Sequence, residues 1–303
     1  MRLDDTEFLR QRDHVLASGP TGFLPLEETL ARQLAIRSER ASGFLIQPRS
    51  GVSDDRQMKF QTRWLERAGA DIATATIDAY TRQQDWVRAA TESNLNGYPL
   101  PTRGVVAGRD LVECVHAPME CRHGSPDGRV LCEAALASGM TSFEGGGIGY
   151  NVPYAKAVAL EHSLRCYQYS DRLTALASPP GDPIDREFFG PLTAVLTPPS
   201  LAVVTTVCEA ALAIEQGVQC VTLGLPETAH FAQDVAMLRE APTACRRFLR
   251  QLGLPEPPGL FTAYHQWMGV FPADRRMALR TIGGGVIAAV VGGATKLINK
   301  TYE

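Results

Sequence analysis

TSFEGGGIGYNVPYAK, residues 141–156, sets the reading of this chain. Thr141-Ser142-Phe143 reads as the end of a short strand, with Glu144 at its tip. Three glycines follow, so backbone can lie flat against whatever fills the space there. Tyr150 and Tyr154 come next, around Asn151 and Pro153. A carboxylate, permissive backbone and two phenols at the C-terminal end of a strand suit a small-molecule site. The plain alternative is a glycine-rich turn with a solvated glutamate and two packing tyrosines. The glycines of 145–149 do not read as the opening of a helix.

Outward from this stretch, short apolar segments ending in polar or glycine residues alternate with helix-like ones. The strand candidates are FLIQPRSGV (44–52), ADIATATIDAYTRQ (70–83), NLNGYP (94–99), PMECRHGSPDGR (118–129), TSFE (141–144), DREFFGPL (185–192), VQCVTLGLPE (218–227), GLFTAYHQWMGVFP (259–272) and ATKLINK (294–300). Strand–helix alternation predicts a parallel sheet with crossover helices. A (β/α)8 TIM-type barrel over 43–303 fits, but it has eight places for nine candidates, so one lies outside. A doubly wound open sheet is the other arrangement, without a dinucleotide fingerprint or P-loop to support it. Residues 1–42 read as an N-terminal helical extension, with Leu26, Leu30 and Leu34 on one amphipathic face.

The 303 residues, 45% apolar and 21% charged, are those of an ordinary globular protein with a large core. A net charge of −3 without a basic run argues against nucleic acid as main partner. The charged start MRLDDTEFLRQRDH lacks the apolar centre of a signal peptide. IGGGVIAAVVGGA (282–294) is too short to span a bilayer and reads as a buried helix. Seven scattered cysteines without a C-x-x-C read as free thiols, hence a cytoplasmic protein.

In a barrel, the C-terminal strand ends gather at one face. Arg49, Arg82 and Arg122 each follow a different early strand and can converge there. Guanidinium forks suit a dicarboxylate, because each can clasp one carboxylate through paired charged hydrogen bonds. Glu144 is placed to take an ammonium. Cys114-x-His116 and Cys121-x-His123 form a weak zinc alternative at an unusual spacing.

From about residue 43 to 300 the chain resembles the large (epsilon) subunits of glutamate mutase, also called methylaspartate mutase. The likeness rests on QPRSGV, IDAYTRQ, LNGYP, CRHGSPDGR, the opening stretch, DREFFGPL, YQYSDRL, TPPS, EQGV and YHQWMGVFP. The resemblance implies a (β/α)8 barrel and places the three substrate-gripping arginines on Arg49, Arg82 and Arg122. It puts the glutamate at the substrate amino group on Glu144 and the pocket tyrosines on Tyr150 and Tyr154. A pocket phenylalanine falls on Phe189, while Asn96 and Lys300 match positions on the adenosyl side. It also implies a radical interconversion of (S)-glutamate and (2S,3S)-3-methylaspartate, started by a 5′-deoxyadenosyl radical from adenosylcobalamin. In such chemistry the protein positions fragments and excludes water and oxygen.

No Asp-x-His-x-x-Gly segment, the mark of a cobalamin module, occurs here. The resemblance therefore implies a separate small cobalamin-binding subunit that caps the barrel mouth, and dimerisation is common in the family. The sequence departs from the family at Gly149, where serine is usual, and at LGLPETAHFAQD (223–234). It stops at Lys300-Thr301-Tyr302-Glu303, short of the family's last barrel helix and C-terminal part. Three expectations follow: a split mutase completed by a second polypeptide, a degenerate homologue that binds without turnover, or an enzyme for a related dicarboxylic amino acid.

Overall fold

The computed structural model describes residues 2–20, 44–155, 157–189 and 197–301, without the side chains of Pro153 and Tyr154. Eight parallel strands form one sheet: β1 Leu45–Pro48, β2 Ala73–Thr76, β3 Met119–Arg122, β4 Ser142–Glu144, β5 Asp185–Phe189, β6 Cys220–Pro226, β7 Gly259–His265 and β8 Lys296–Asn299. Their order is β1-β8-β7-β6-β5-β4-β3-β2, so the first strand pairs with the last. At the remaining seam, Asp71 N donates to Ile46 O at 2.9 Å and Thr76 N to Ser50 O at 2.7 Å. The result is a nearly closed barrel.

Eight of the nine strand candidates are in the sheet. The ninth, NLNGYP, lies outside it and touches the end of β2 through a single bridge, Ile77 to Tyr98. Its Asn96 Oδ1 accepts from Ala79 N at 3.0 Å, so the segment braces the turn after β2 instead of extending the sheet.

Side chains alternate between the barrel interior and the surrounding helices. Outward residues such as Met119, Phe143, Phe188, Val221, Leu223 and Leu297 are apolar and fill two clusters under the helices. Inward residues are largely polar. Gln47 Nε2 donates to Thr74 Oγ1 and Glu120 Oε1, and Ser142 Oγ and Thr222 Oγ1 donate to Asp185. Helix starts are encoded locally: Asp54 and Asp274 accept from Gln57 N and Met277 N, both at 2.9 Å, opening Asp55–Arg67 and Arg275–Gly292. Gly217 and Gly293, at φ +104° and +75°, end two helices in the left-handed region that glycine adopts freely.

The 282–294 run is not the fully buried helix expected. It lies mostly in Arg275–Gly292, where Gly285, Ala288 and Ala289 are buried while Ile287 and Val290 face solvent. Among the described residues no helix is long and apolar enough to cross a membrane. Of the N-terminal extension, helix Asp5–Ser18 docks on the barrel: Phe8 stacks on Tyr169 at 5.1 Å and Arg12 pairs with Glu133 at 2.9 Å. Leu26, Leu30 and Leu34 fall outside the described residues.

Candidate functional site

Arg49, directly after β1, lines a cavity of about 830 Å³ at the C-terminal face of the barrel, together with Arg82, His123, His162 and Lys300. Arg82 reaches it from a one-turn helix, Ala79–Arg82, not from a strand. Asp78 caps that turn by accepting from Tyr80 N at 2.8 Å, and Arg82 Nε donates to Ile77 O at 2.7 Å. Two cations and a lysine thus share one wall. Burial, then Arg49 and Arg122, brings Lys300 down to about 8.

Arg122 lies deeper, in the barrel interior, 1% exposed. Its Nη1 donates to Glu120 at 2.5 Å and Glu187 at 2.9 Å, and its Nη2 to Glu144 at 2.5 Å. Expected at the mouth with Arg49 and Arg82, this arginine lies below it, where its Nη atoms serve three glutamates and its Nε has no partner. Lys296 closes the network from β8, with Nζ at 2.5 Å from both Glu120 and Glu187. His265 Nε2 lies 2.9 Å from Glu187, and Phe189 packs on the His265 ring at 3.7 Å between centroids. Despite burial, Lys296 and Arg122 hold Glu187 well below the usual carboxylate range. Burial raises Glu144 above it, against the pull of Arg122. Burial likewise brings His265 down to about 3, so its imidazole is neutral.

The opening stretch folds differently from expectation at one point. Helix Gly147–Tyr154 does begin within the glycine run. It forms there because Glu209, from helix Pro199–Gln216, accepts from Ile148 N at 2.8 Å and Gly149 N at 2.9 Å. A buried carboxylate thus satisfies the first amides of a helix whose own residues cannot cap it. Tyr150, in that helix, is buried beside Glu144, and burial pushes its phenol well above its ordinary range. The Tyr154 side chain is outside the described set.

His123 borders both the cavity and Tyr150, with ring centroids 5.2 Å apart. Its Nδ1 accepts from Ser125 N, so Nε2 carries the proton, and Nε2 is buried without a partner. The zinc alternative is not assembled: Cys121 points into the apolar layer, and His123 lines the cavity. Glu144, Glu187 and His265 are close enough to hold a metal, but Arg122 and Lys296 already meet their charge. Asp127, His162 and Cys166 also cluster, with Asp127 engaged by both Arg129 Nε and Nη2.

Glu120, Glu187 and Lys296 were not singled out from sequence. The available signal was charge at alternate positions of strands: Glu120-x-Arg122, Asp185-x-Glu187 and Lys296 in apolar surroundings.

The methylaspartate mutase E chain family model matches residues 24–303. The glutamate mutase epsilon subunit of Desulfitobacterium hafniense is 40% identical over 322 residues, covering 99% of this chain and 66% of that protein. That of Treponema denticola is 39% identical with the same coverage, and that of Halobacterium salinarum 40% identical over 90% of this chain and 58% of its own length. The chain therefore spans about two thirds, 66%, of the first of these relatives. With a near-closed barrel and a family match over nearly all of its length, the chain belongs to the methylaspartate mutase E chain family.

Proposed function

We propose that this chain is the large subunit of an adenosylcobalamin-dependent mutase interconverting (S)-glutamate and (2S,3S)-3-methylaspartate. The observation that carries the reading is the separation of charge around one cavity: Arg49, Arg82 and Lys300 on its lining, and Glu144 and Tyr150 buried behind His123, which also lines it. A dicarboxylic amino acid presents the complementary pattern. Its carboxylates would meet the cationic wall and its ammonium the Glu144 carboxylate. Arg122 Nε and His123 Nε2, buried donors without a partner, offer further hydrogen bonds to a carboxylate.

A cavity of about 830 Å³ has room for an amino acid beside the adenosyl arm of the cofactor. This chain holds no Asp-x-His-x-x-Gly segment, so the corrin would come on a small cobalamin-binding subunit seated over the cavity. Adenosylcobalamin would supply the radical that removes hydrogen. The barrel's part is to hold the substrate by both ends and keep water out. Asn96, which braces the helix bearing Arg82, would face the adenosyl side, with Lys300 between it and the substrate carboxylates. A second reading is favoured by the existing pairing of Arg122 with Glu144: a homologue that binds a dicarboxylic amino acid without turning it over.

The test is an oxygen-free mixture of this chain, a cobalamin-binding small subunit, adenosylcobalamin and glutamate. Formation of 3-methylaspartate with a cob(II)alamin signal supports the first reading; glutamate binding without product supports the second. Arg49→Gln and Arg82→Gln are each expected to weaken glutamate binding by about tenfold or more, in line with loss of a charge-assisted contact. Undetectable binding by the unaltered chain in calorimetry would remove the substrate role. Lys300 adds a pH dependence. It is charged below about 8 and neutral above, so affinity is expected to fall several-fold from pH 7 to 9, and Lys300→Gln to flatten the profile.

A further inference from the structure

We infer that Glu209 is a positioning residue for the Glu144–Tyr150 pair, acting from outside the barrel through the glycine loop. The inference rests on the substrate reading of that pair. Glu209 is 2% exposed and sits on helix Pro199–Gln216, none of whose residues lines the cavity. Its Oε1 holds the amides of Ile148 and Gly149, two residues and one residue before Tyr150. The same loop is gripped at its other end by Arg186, whose Nη1 donates to Phe143 O at 2.5 Å and Nη2 to Gly145 O at 2.8 Å. Asp171 in turn holds Arg186 Nε at 2.8 Å. A cation fixes the carbonyls on the Glu144 side and an anion fixes the amides on the Tyr150 side. Residues 143–149 are thus spanned by two opposite charges, and Glu144 and Tyr150 lie at the points they fix.

The glycines acquire a specific reason. A Cβ on Gly146 would lie 2.0 Å from Glu209 Oε1 and 2.2 Å from its Cδ. At Gly145, with φ +106°, a Cβ would lie 2.2 Å from the Tyr150 ring. The run is glycine because a carboxylate and a phenol press against it from two sides. Gly146→Ala must therefore push the Glu209 carboxylate off the amides. A helix end left uncapped and free to shift moves Tyr150 relative to Glu144, and misplacement on that scale is costly in a positioning site.

The experiment measures glutamate affinity and thermal stability on the full chain for Glu209→Ala, Glu209→Gln, Gly146→Ala, the Gly146→Ala/Glu209→Ala double variant and Leu238→Ala. Leu238 is a core residue between helices Phe231–Gln251 and Arg275–Gly292, remote from the site. Glu209→Ala is expected to weaken binding about tenfold, and Glu209→Gln, whose amide oxygen can accept both amides, to restore most of it. Gly146→Ala should weaken binding similarly, and the double variant no further, because both act through one contact. Leu238→Ala should lower Tm and leave affinity alone. A Glu209→Ala chain with reduced Tm and unchanged affinity, or a Glu209→Gln chain as weak as the alanine variant, overturns the inference. Should the unaltered chain bind no glutamate, the substrate reading fails, and hydrogen exchange at residues 147–151 judges the clamp separately. Protection lost with alanine and kept with glutamine upholds it; equal protection in both overturns it.

Discussion

Replacing Arg122 by methionine is expected to lower stability by about 3–5 kcal/mol, the cost of breaking a buried ion pair by removing one partner. The guanidinium is shared by Glu120, Glu144 and Glu187, all buried. Without it, two of the three keep only Lys296 as counter-charge, and Glu144 loses its direct cation. Denaturant midpoints at constant slope measure the loss. Adding Glu187→Gln to Arg122→Met should recover part of it, since one uncompensated charge is removed. Arg122→Lys should retain more stability than methionine but hold one carboxylate in place of three, so glutamate binding should still be lost. A full-strength fold in Arg122→Met would mean that the network's charges are already neutral.

Lys296→Met is expected to cost a similar amount, about 3–5 kcal/mol. This lysine is 0% exposed and lies 2.5 Å from two carboxylates, with Asp185 at 3.9 Å. Its effect should depend on pH in a defined direction. Glu187 is held well below the ordinary carboxylate range, so its contribution is complete above that range and lost as pH falls through its depressed value. Removing Lys296 raises Glu187. The gap between variant and unaltered chain should therefore narrow as pH is lowered towards 4, where protonated carboxyls need no cation. A gap that stays constant from pH 8 to 4 would show that lost packing, not charge, is responsible. Because Arg122 and Lys296 share Glu120 and Glu187, the two substitutions should not be additive.

The barrel was legible because each strand is a short apolar segment ending in polar residues, a local pattern. NLNGYP carries the same local texture, and only its place beside the Ala79–Arg82 turn separates it from a strand. The helix at Gly147 was misread for a related reason. Its cap is supplied by Glu209, about sixty residues on, and nothing within 141–156 announces it. Arg49, Arg82 and Arg122 were expected together at the mouth; Arg49 and Arg82 line one cavity there with Lys300, while Arg122 lies deeper. Glu120 and Glu187 were missed, because a strand's inward charge is intelligible only with its partners. The charged partners of Glu120 lie on β3 and β8, two and 176 residues away.

Pairing of the first strand with the last has a consequence for biosynthesis. β1 forms its ladder with Lys296–Asn299, whereas it meets β2 through a few isolated hydrogen bonds. A nascent chain therefore carries Leu45–Pro48 without a ladder partner until roughly 250 further residues have been made, on the order of 10–50 s at ordinary translation rates. Lys296, the counter-ion of the buried glutamates, arrives on the same late strand. The ribosome thus delivers an acidic, open-edged half-product first and its neutralising, closing strand last. Closure of the ring and burial of its charge become one event, which waits for β8.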